Sequence, residues 1–214
     1  MSFQVVDLER YPRREHYHQF LAMQLTYSAT VDVDITRLRD ATKRLGYRIY
    51  PAQIWMLTSA ANRVPEFRMS RDNDGRLGIW DELSPHYTVF EPTTRTFSGL
   101  WTPYRIDFGA FYQRCRQDME RFGDRSLPPT DVPGNLINVS SIPWVAFTSF
   151  NLNLPDDHLL PILTIGQHAE RNGRTIMPLA IQVHHAVCDG WHLGQFVDEV
   201  RELANTADHW LVTS

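Results

Sequence analysis

The spacing of apolar positions changes period several times along the chain, and each change marks an element. Thr30 to Ile35 (TVDVDI) alternates apolar and polar residues as a half-buried strand does. From Thr36 to Leu45 the rhythm becomes helical through Leu38, Ala41 and Leu45, with Gly46 closing it. Pro51 is placed as a first-turn proline of a second helix carrying Ile54, Leu57, Ala61 and Val64, which Pro65 stops. RMSRDNDGRLGIW sets Asn73-Asp74-Gly75 between two strand-like runs, which predicts a hairpin because such a turn needs residues that tolerate positive φ. Phe108, Phe111, Cys115, Met119 and Phe122 form a third helical stripe, read as core packing.

From Asn135 the texture becomes β. NLINVSS, WVAFTSFNLNL, LLPILTIGQ and IMPLAIQV are separated by Pro, Asp and Gly, and each reads as a strand. In the second of these, Trp144, Ala146, Thr148, Phe150, Leu152 and Leu154 fall on one face. Leu193, Phe196, Val197, Val200 and Leu203 then predict a closing amphipathic helix that starts just after Asp189-Gly190. The irregular stretch 123–134 (GDRSLPPTDVPG) reads as a surface loop, and no repeat or interdomain linker is visible. The expected architecture is α/β (α+β), a mixed sheet with helices on one face, in a single domain spanning 1–214.

Composition narrows the partners rather than the fold. A length of 214 residues at 43 % hydrophobic content supports one core, not two. A formal charge of −4, from 21 basic and 25 acidic residues spread along the chain, leaves no tract for nucleic acid or for an anionic membrane. Cys115 and Cys188 are far apart, which suggests reduced thiols and a cytoplasmic setting. No apolar run approaches a membrane span and no secretory signal opens the chain. A small-molecule ligand is the expectation.

Candidate chemistry concentrates in Ile181–His192, IQVHHAVCDGWH, directly after an apolar run. His184 and His185 are consecutive, so in a strand they point to opposite faces and one of them is expected to be structural. A metal site from a histidine of the pair, Asp189 and His192 matches no defined ligand spacing. Cys188 as a nucleophile would still need an orienting third group, and no Gly-x-Ser-x-Gly elbow supports a serine hydrolase. The remaining reading makes His185 a general base, able at neutral pH to take a proton from a hydroxyl or thiol. Asp189, four residues on, either partners that base or pairs with an arginine to hold the turn; Gly190 permits the tight entry into the helix.

HHAVCDG preceded by MPLAIQV resembles the signature of the classical trimeric chloramphenicol acetyltransferases, and the resemblance runs through most of the chain. It is carried also by Arg13-Arg14-Glu15-His16-Tyr17, Tyr50-Pro51, PEFRM (65–69), IWD (79–81), YTVF (87–90), TFSGLW (96–101), NVSSIPWVAFTSFNLN (138–153) and ILTIG (162–166), in this order. The resemblance implies the CoA-dependent acyltransferase fold and direct acetyl transfer from acetyl-CoA to the primary hydroxyl of chloramphenicol, with no metal. It implies His185 as catalytic base, Ser140 as oxyanion donor, and Thr164 as the holder of a water near the tetrahedral intermediate. It further implies a structural ion pair between Asp189 and Arg13, and an apolar acceptor pocket drawn from Phe20, Tyr27, Phe150, Leu152 and Leu154. Two-fold larger relatives of the superfamily join two such halves, so one half alone implies a homotrimer with each site at a subunit interface. Where relatives often carry Lys-Tyr after the ILTIG-like run, this chain has Gln167-His168. A relative acting on another hydroxyl acceptor, or a binder that sequesters its ligand, are the alternative functions.

Overall fold

The computed structural model describes residues 2–122, 132–153 and 158–212. In chain order the elements are β1 (Phe3–Val5), α1 (Arg14–Ala22), β2 (Thr26–Asp34), α2 (Thr36–Leu45), α3 (Ile49–Arg63), β3 (Met69–Arg71), β4 (Leu77–Trp80), β5 (Ser84–Glu91) and β6 (Thr96–Trp101). They continue with α4 (Phe108–Phe122), β7 (Leu136–Ser141), β8 (Ile162–Ile165), β9 (Ala169–Arg171), β10 (Arg174–His184), α5 (Gly190–Asn205) and α6 (Ala207–Trp210).

Local chemistry accounts for the helix ends. Gly46 adopts φ 77° and returns its N–H toward the last carbonyls of α2, a left-handed cap that only glycine accepts without strain. Pro65 removes a donor just past α3, and the chain tightens there into a 3₁₀ turn. Gly75, at φ 77°, closes the β3–β4 hairpin, which β1 extends into a small three-stranded sheet.

The main sheet orders its strands β2-β10-β8-β7-β5-β6, with β9 beside the start of β10. β5 and β8 run parallel to β7 and every other pairing is antiparallel, so the expected mixed sheet is present. Strand periodicity gives the sheet two unlike faces. Tyr87, Val139, Leu163, Leu179, Ile181 and Val183 are buried in one core cluster with α3 and α5, and residues 51–61 of α3 are buried without a break. Burying each large aliphatic side chain there contributes roughly 1.5–3 kcal/mol. Phe108, Phe111 and Cys115 of α4 join the same core, while the side chain of Phe122 lies outside the described residues, as does most of the stretch read as a surface loop. The opposite face carries Thr88, Ser140, Thr164, Ala180, Gln182 and His184.

One predicted strand is absent. Residues 142–153 form no ladder, although the apolar alternation from Trp144 to Leu154 suggests one; Leu154 lies outside the described residues. β7 and β8 already have partners on both sides, so the segment instead crosses the face that bears Ser140 and Thr164. It is pinned where Ile142 N–H donates to Ile165 O (2.8 Å) and Gln167 N–H to Val145 O (3.0 Å). Farther along, the Gln182 amide accepts from Leu152 N–H (2.7 Å) and donates to Leu152 O (2.6 Å). Trp144 is left 61 % exposed. The alternation had no sheet edge to serve.

Candidate active site

β10 delivers the histidine pair. His184 ends the strand on the open face and is buried; its Nδ1 accepts from Ala186 N–H at 3.1 Å, while its Nε2 has no hydrogen-bond partner among the described residues. Burial lowers the pKa of His184, and nearby Arg71, His158 and His185 lower it further. It is the structural member of the pair. His185, one residue past the strand, donates its N–H to Leu25 O at 2.8 Å. Its ring stacks on Phe20, with centroids 4.2 Å apart and planes at 23°, and meets Tyr27 at 5.1 Å. The side chain is 30 % exposed while Nδ1 is buried, so the accessible part of the ring lies away from Nδ1.

A cation holds the turn that follows. Arg13, just before α1, donates from Nε to Asp189 Oδ2 (3.0 Å), and its other nitrogens reach Asp189 Oδ1, Ala186 O (3.1 Å) and His185 O (3.2 Å). One guanidinium thereby ties both the carboxylate and the backbone of the His185 turn, the fork geometry that lysine cannot supply. Asp189 Oδ1 also lies 3.2 Å from His185 Nδ1, outside hydrogen-bond alignment. The carboxylate is therefore committed first to Arg13. Asp189 N-caps α5, and its N–H donates to His192 Nδ1 at 2.9 Å; His192 Nε2 sits 3.6 Å from Glu66. His192 is thus a capping residue, and no metal-holding cluster of three or more ligands occurs among the described residues.

Cys188 is buried, and its thiol is pushed up to about 12, first by desolvation. A thiol with so little thiolate at neutral pH is no nucleophile.

Ser140 and Thr164 lie elsewhere. They are register partners on β7 and β8, and Thr164 in turn faces Ala180 on β10. His185 is five residues beyond Ala180, which puts it about 17 Å along the sheet from the row that holds Ser140 and Thr164. The predicted acceptor residues divide the same way. Phe20 and Tyr27 surround His185, whereas Phe150 and Leu152 share a small crevice with Thr164, Ala180 and Gln182. Leu154 lies outside the described residues.

Ser140 opens into a cavity of about 880 Å³ at the carboxyl ends of β5, β7 and β8. Five distant segments wall it: Tyr50 and Gln53 of α3, the β5–β6 hairpin, Met119 of α4, Ile142 to Trp144, and Gly166 to His168. Trp144 packs edge-on against Phe90, and Gln53 Nε2 lies 2.8 Å from His168 Nε2. The sequence offered no local motif for this cavity.

Residues 1–201 match the family described as chloramphenicol acetyltransferase. The chain belongs to the chloramphenicol acetyltransferase family. A chloramphenicol acetyltransferase of Bacillus pumilus is 45 % identical over 98 % of this chain and 96 % of its own length. One from Clostridium perfringens is 42 % identical over 99 % of both. A solved chloramphenicol acetyltransferase structure superimposes with a TM-score of 0.85 at 28 % identity, covering 95 % of this chain and all of that one. Membership makes the protein an acyltransferase and accounts for the mixed sheet. No helix among its described residues is long and apolar enough to cross a membrane.

Proposed function

We propose that this chain transfers the acetyl group of acetyl-CoA to the primary hydroxyl of chloramphenicol, in the cytoplasm, as a homotrimer whose sites lie between copies. The observation that carries this reading is the separation of His185 from Ser140. A base and an oxyanion donor must both lie within about 3 Å of the reacting atoms. Within one chain they sit about 17 Å apart along the sheet, so a site containing both needs His185 from one copy and Ser140 from the next.

The chemistry then follows from the groups present. His185 accepts the proton of the acceptor hydroxyl as its oxygen attacks the thioester carbonyl. The tetrahedral oxyanion takes a hydrogen bond from the Ser140 hydroxyl, and Thr164, its register partner, holds a water beside it. The C–S bond then breaks, and the departing CoA sulfur recovers the proton from His185. Phe20 stacks on the imidazole and Tyr27 packs at an angle to it, and Arg13 with Asp189 fixes the backbone beneath it. Phe150 and Leu152 on the neighbouring copy supply apolar wall for the acceptor ring. Acetyl-CoA reaches Ser140 through the 880 Å³ cavity.

Release of free CoA thiol from acetyl-CoA and chloramphenicol tests the chemistry, with His185→Ala and an acceptor-free control beside it. No release by the folded protein would move the function to another acceptor or to sequestration. Mixed assembly tests the shared site. His185→Ala and Ser140→Ala chains, each inactive alone, should regain about a quarter of wild-type activity when denatured and refolded together in equal amounts, because one neighbouring pair in four unites both intact residues. Activity that stays absent in the refolded mixture would refute a site shared between copies.

A further inference from the structure

We propose that Arg95, at the outer lip of the 880 Å³ cavity, binds the diphosphate of the acetyl donor; this rests on the reading of that cavity as the acetyl-CoA site. Among the residues lining the cavity, Arg95 alone carries a fixed charge, and no carboxylate lines it. Gln53, Gln167 and the hydroxyl residues around them are neutral, so the negative charge of a CoA thioester has one counter-ion along this path.

The turn that presents Arg95 is specific. Residues 92–95 join β5 to β6, and Arg95 sits at φ 55°, a left-handed conformation uncommon for a residue with a side chain. Glu91 secures one end by accepting from Thr93 N–H at 2.9 Å, and the Thr94 and Thr96 hydroxyls lie 2.7 Å apart at the other. Glu91, the carboxylate of this hairpin, is thereby engaged with the turn's own backbone. The Arg95 guanidinium makes no hydrogen bond or ion pair among the described residues, and five N–H donors face outward with nothing to satisfy.

Distance supplies the second, independent argument. The β5–β7 register pairs Tyr87 with Val139, so Thr88 stands beside Ser140. From Thr88 to Glu91 is three residues, about 10 Å, and the turn carries Arg95 a few ångströms farther, to about 15 Å from the Ser140 hydroxyl. In a CoA thioester about thirteen bonds separate the sulfur from the first phosphorus, and at roughly 1.2 Å per bond the extended arm spans about 15 Å. With the thioester at Ser140, the diphosphate arrives at Arg95. Between the two ends lie Phe90, Phe97 and Trp144, an apolar bed suited to the uncharged pantetheine arm. A guanidinium fork meeting diphosphate oxygens is among the stronger charge-assisted contacts at a protein surface.

The test compares two donors on two proteins. For Arg95→Gln, KM for acetyl-CoA should rise on the order of tenfold to a hundredfold, with kcat and the KM for chloramphenicol near wild type. With S-acetylpantetheine, which has the thioester and arm but no diphosphate, the two proteins should have the same kcat/KM. An unchanged KM for acetyl-CoA, or an equal loss with both donors, would overturn the assignment. Calorimetric titration of CoA itself separates this inference from the acceptor reading. If the wild type binds CoA but acetylates no chloramphenicol, the acceptor reading falls, and weaker CoA binding by Arg95→Gln still supports Arg95. Equal CoA affinity of the two proteins refutes it, and so does a wild type that binds no CoA.

Discussion

The two margins of the main sheet are built on opposite plans. At the end of β10, His185 is held by short-range means: a backbone hydrogen bond to Leu25, a ring stacked on Phe20, and a turn clamped by Arg13 through three acceptor groups. At the ends of β7 and β8, Ser140 faces a wide cavity whose walls come from five separate segments, one of them irregular, with aromatic rings open to solvent. The contrast follows from what each margin must do under the proposed function. A base has to be fixed to a fraction of an ångström, whereas a donor with a long flexible arm needs a channel it can enter and leave.

Removing the two proposed reacting groups should give the largest effects and should treat the two margins alike. His185→Ala should lower kcat on the order of 10²–10⁴-fold and Ser140→Ala on the order of 10²–10³-fold. Both should melt near the wild-type temperature, as steady-state assays paired with thermal unfolding will show.

Asp189→Asn should separate the margins. It withdraws the carboxylate from Arg13 and loosens only the His185 side. Because the Asp189 side chain is 38 % exposed, the cost should follow a charged hydrogen bond, about 1.5–3 kcal/mol, and not the larger penalty of a fully buried pair. Urea unfolding should read that loss, with kcat falling while the KM for acetyl-CoA stays put. Unchanged stability together with unchanged turnover would refute the clamp.

The pH dependence of stability sharpens the comparison further, since each margin carries one histidine whose pKa burial depresses. These are His184 beside His185 and His168 on the cavity wall. In the unfolded chain each takes up a proton near pH 6.5, while in the folded protein each resists until lower pH. The unfolded state then binds more protons, so stability is full above about pH 6.5 and is lost as pH falls below it. Urea midpoints measured between pH 7.5 and 5 should fall, and His184→Asn should flatten the slope. The smallest effect is expected at Cys188. Cys188→Ala should keep kcat within about twofold and lose about 1 kcal/mol of packing at most, whereas abolished turnover would restore the thiol to the mechanism.

What could be read from the chain divides along the same margins. The His185 side is local in sequence: the histidine pair, Asp189 and the start of α5 fall within twelve residues, and their order alone conveys strand, turn and cap. Helices α2, α3, α4 and α5 were equally plain, because their apolar stripes repeat over several turns. β1 and α1 went unread; the first is too short to show a period, and the second carries only Tyr17 fully buried. The alternation of residues 144–154 was misleading because periodicity reports which side chains are apolar, not whether a sheet edge is free to receive them. The cavity could not be seen at all from pattern, since Tyr50, Arg95, Trp144 and His168 meet only after the sheet forms. The roles of Ser140 and Thr164 came from resemblance. Nothing in their spacing distinguishes them from ordinary strand residues.

The segment that crosses the open face has one property the strands lack. Among the described residues, its hydrogen bonds to the sheet beside the proposed acceptor wall come from one side-chain amide, Gln182, which serves both polar groups of Leu152. A strand must preserve alternation at every position to keep its register, but a strap fastened at a few points is free to vary between its fastenings. Substitutions at Thr148, Phe150 or Leu152 should therefore reshape the proposed acceptor wall without shifting any ladder. New acceptors can be sampled there at little cost to the fold, so long as residue 182 stays glutamine.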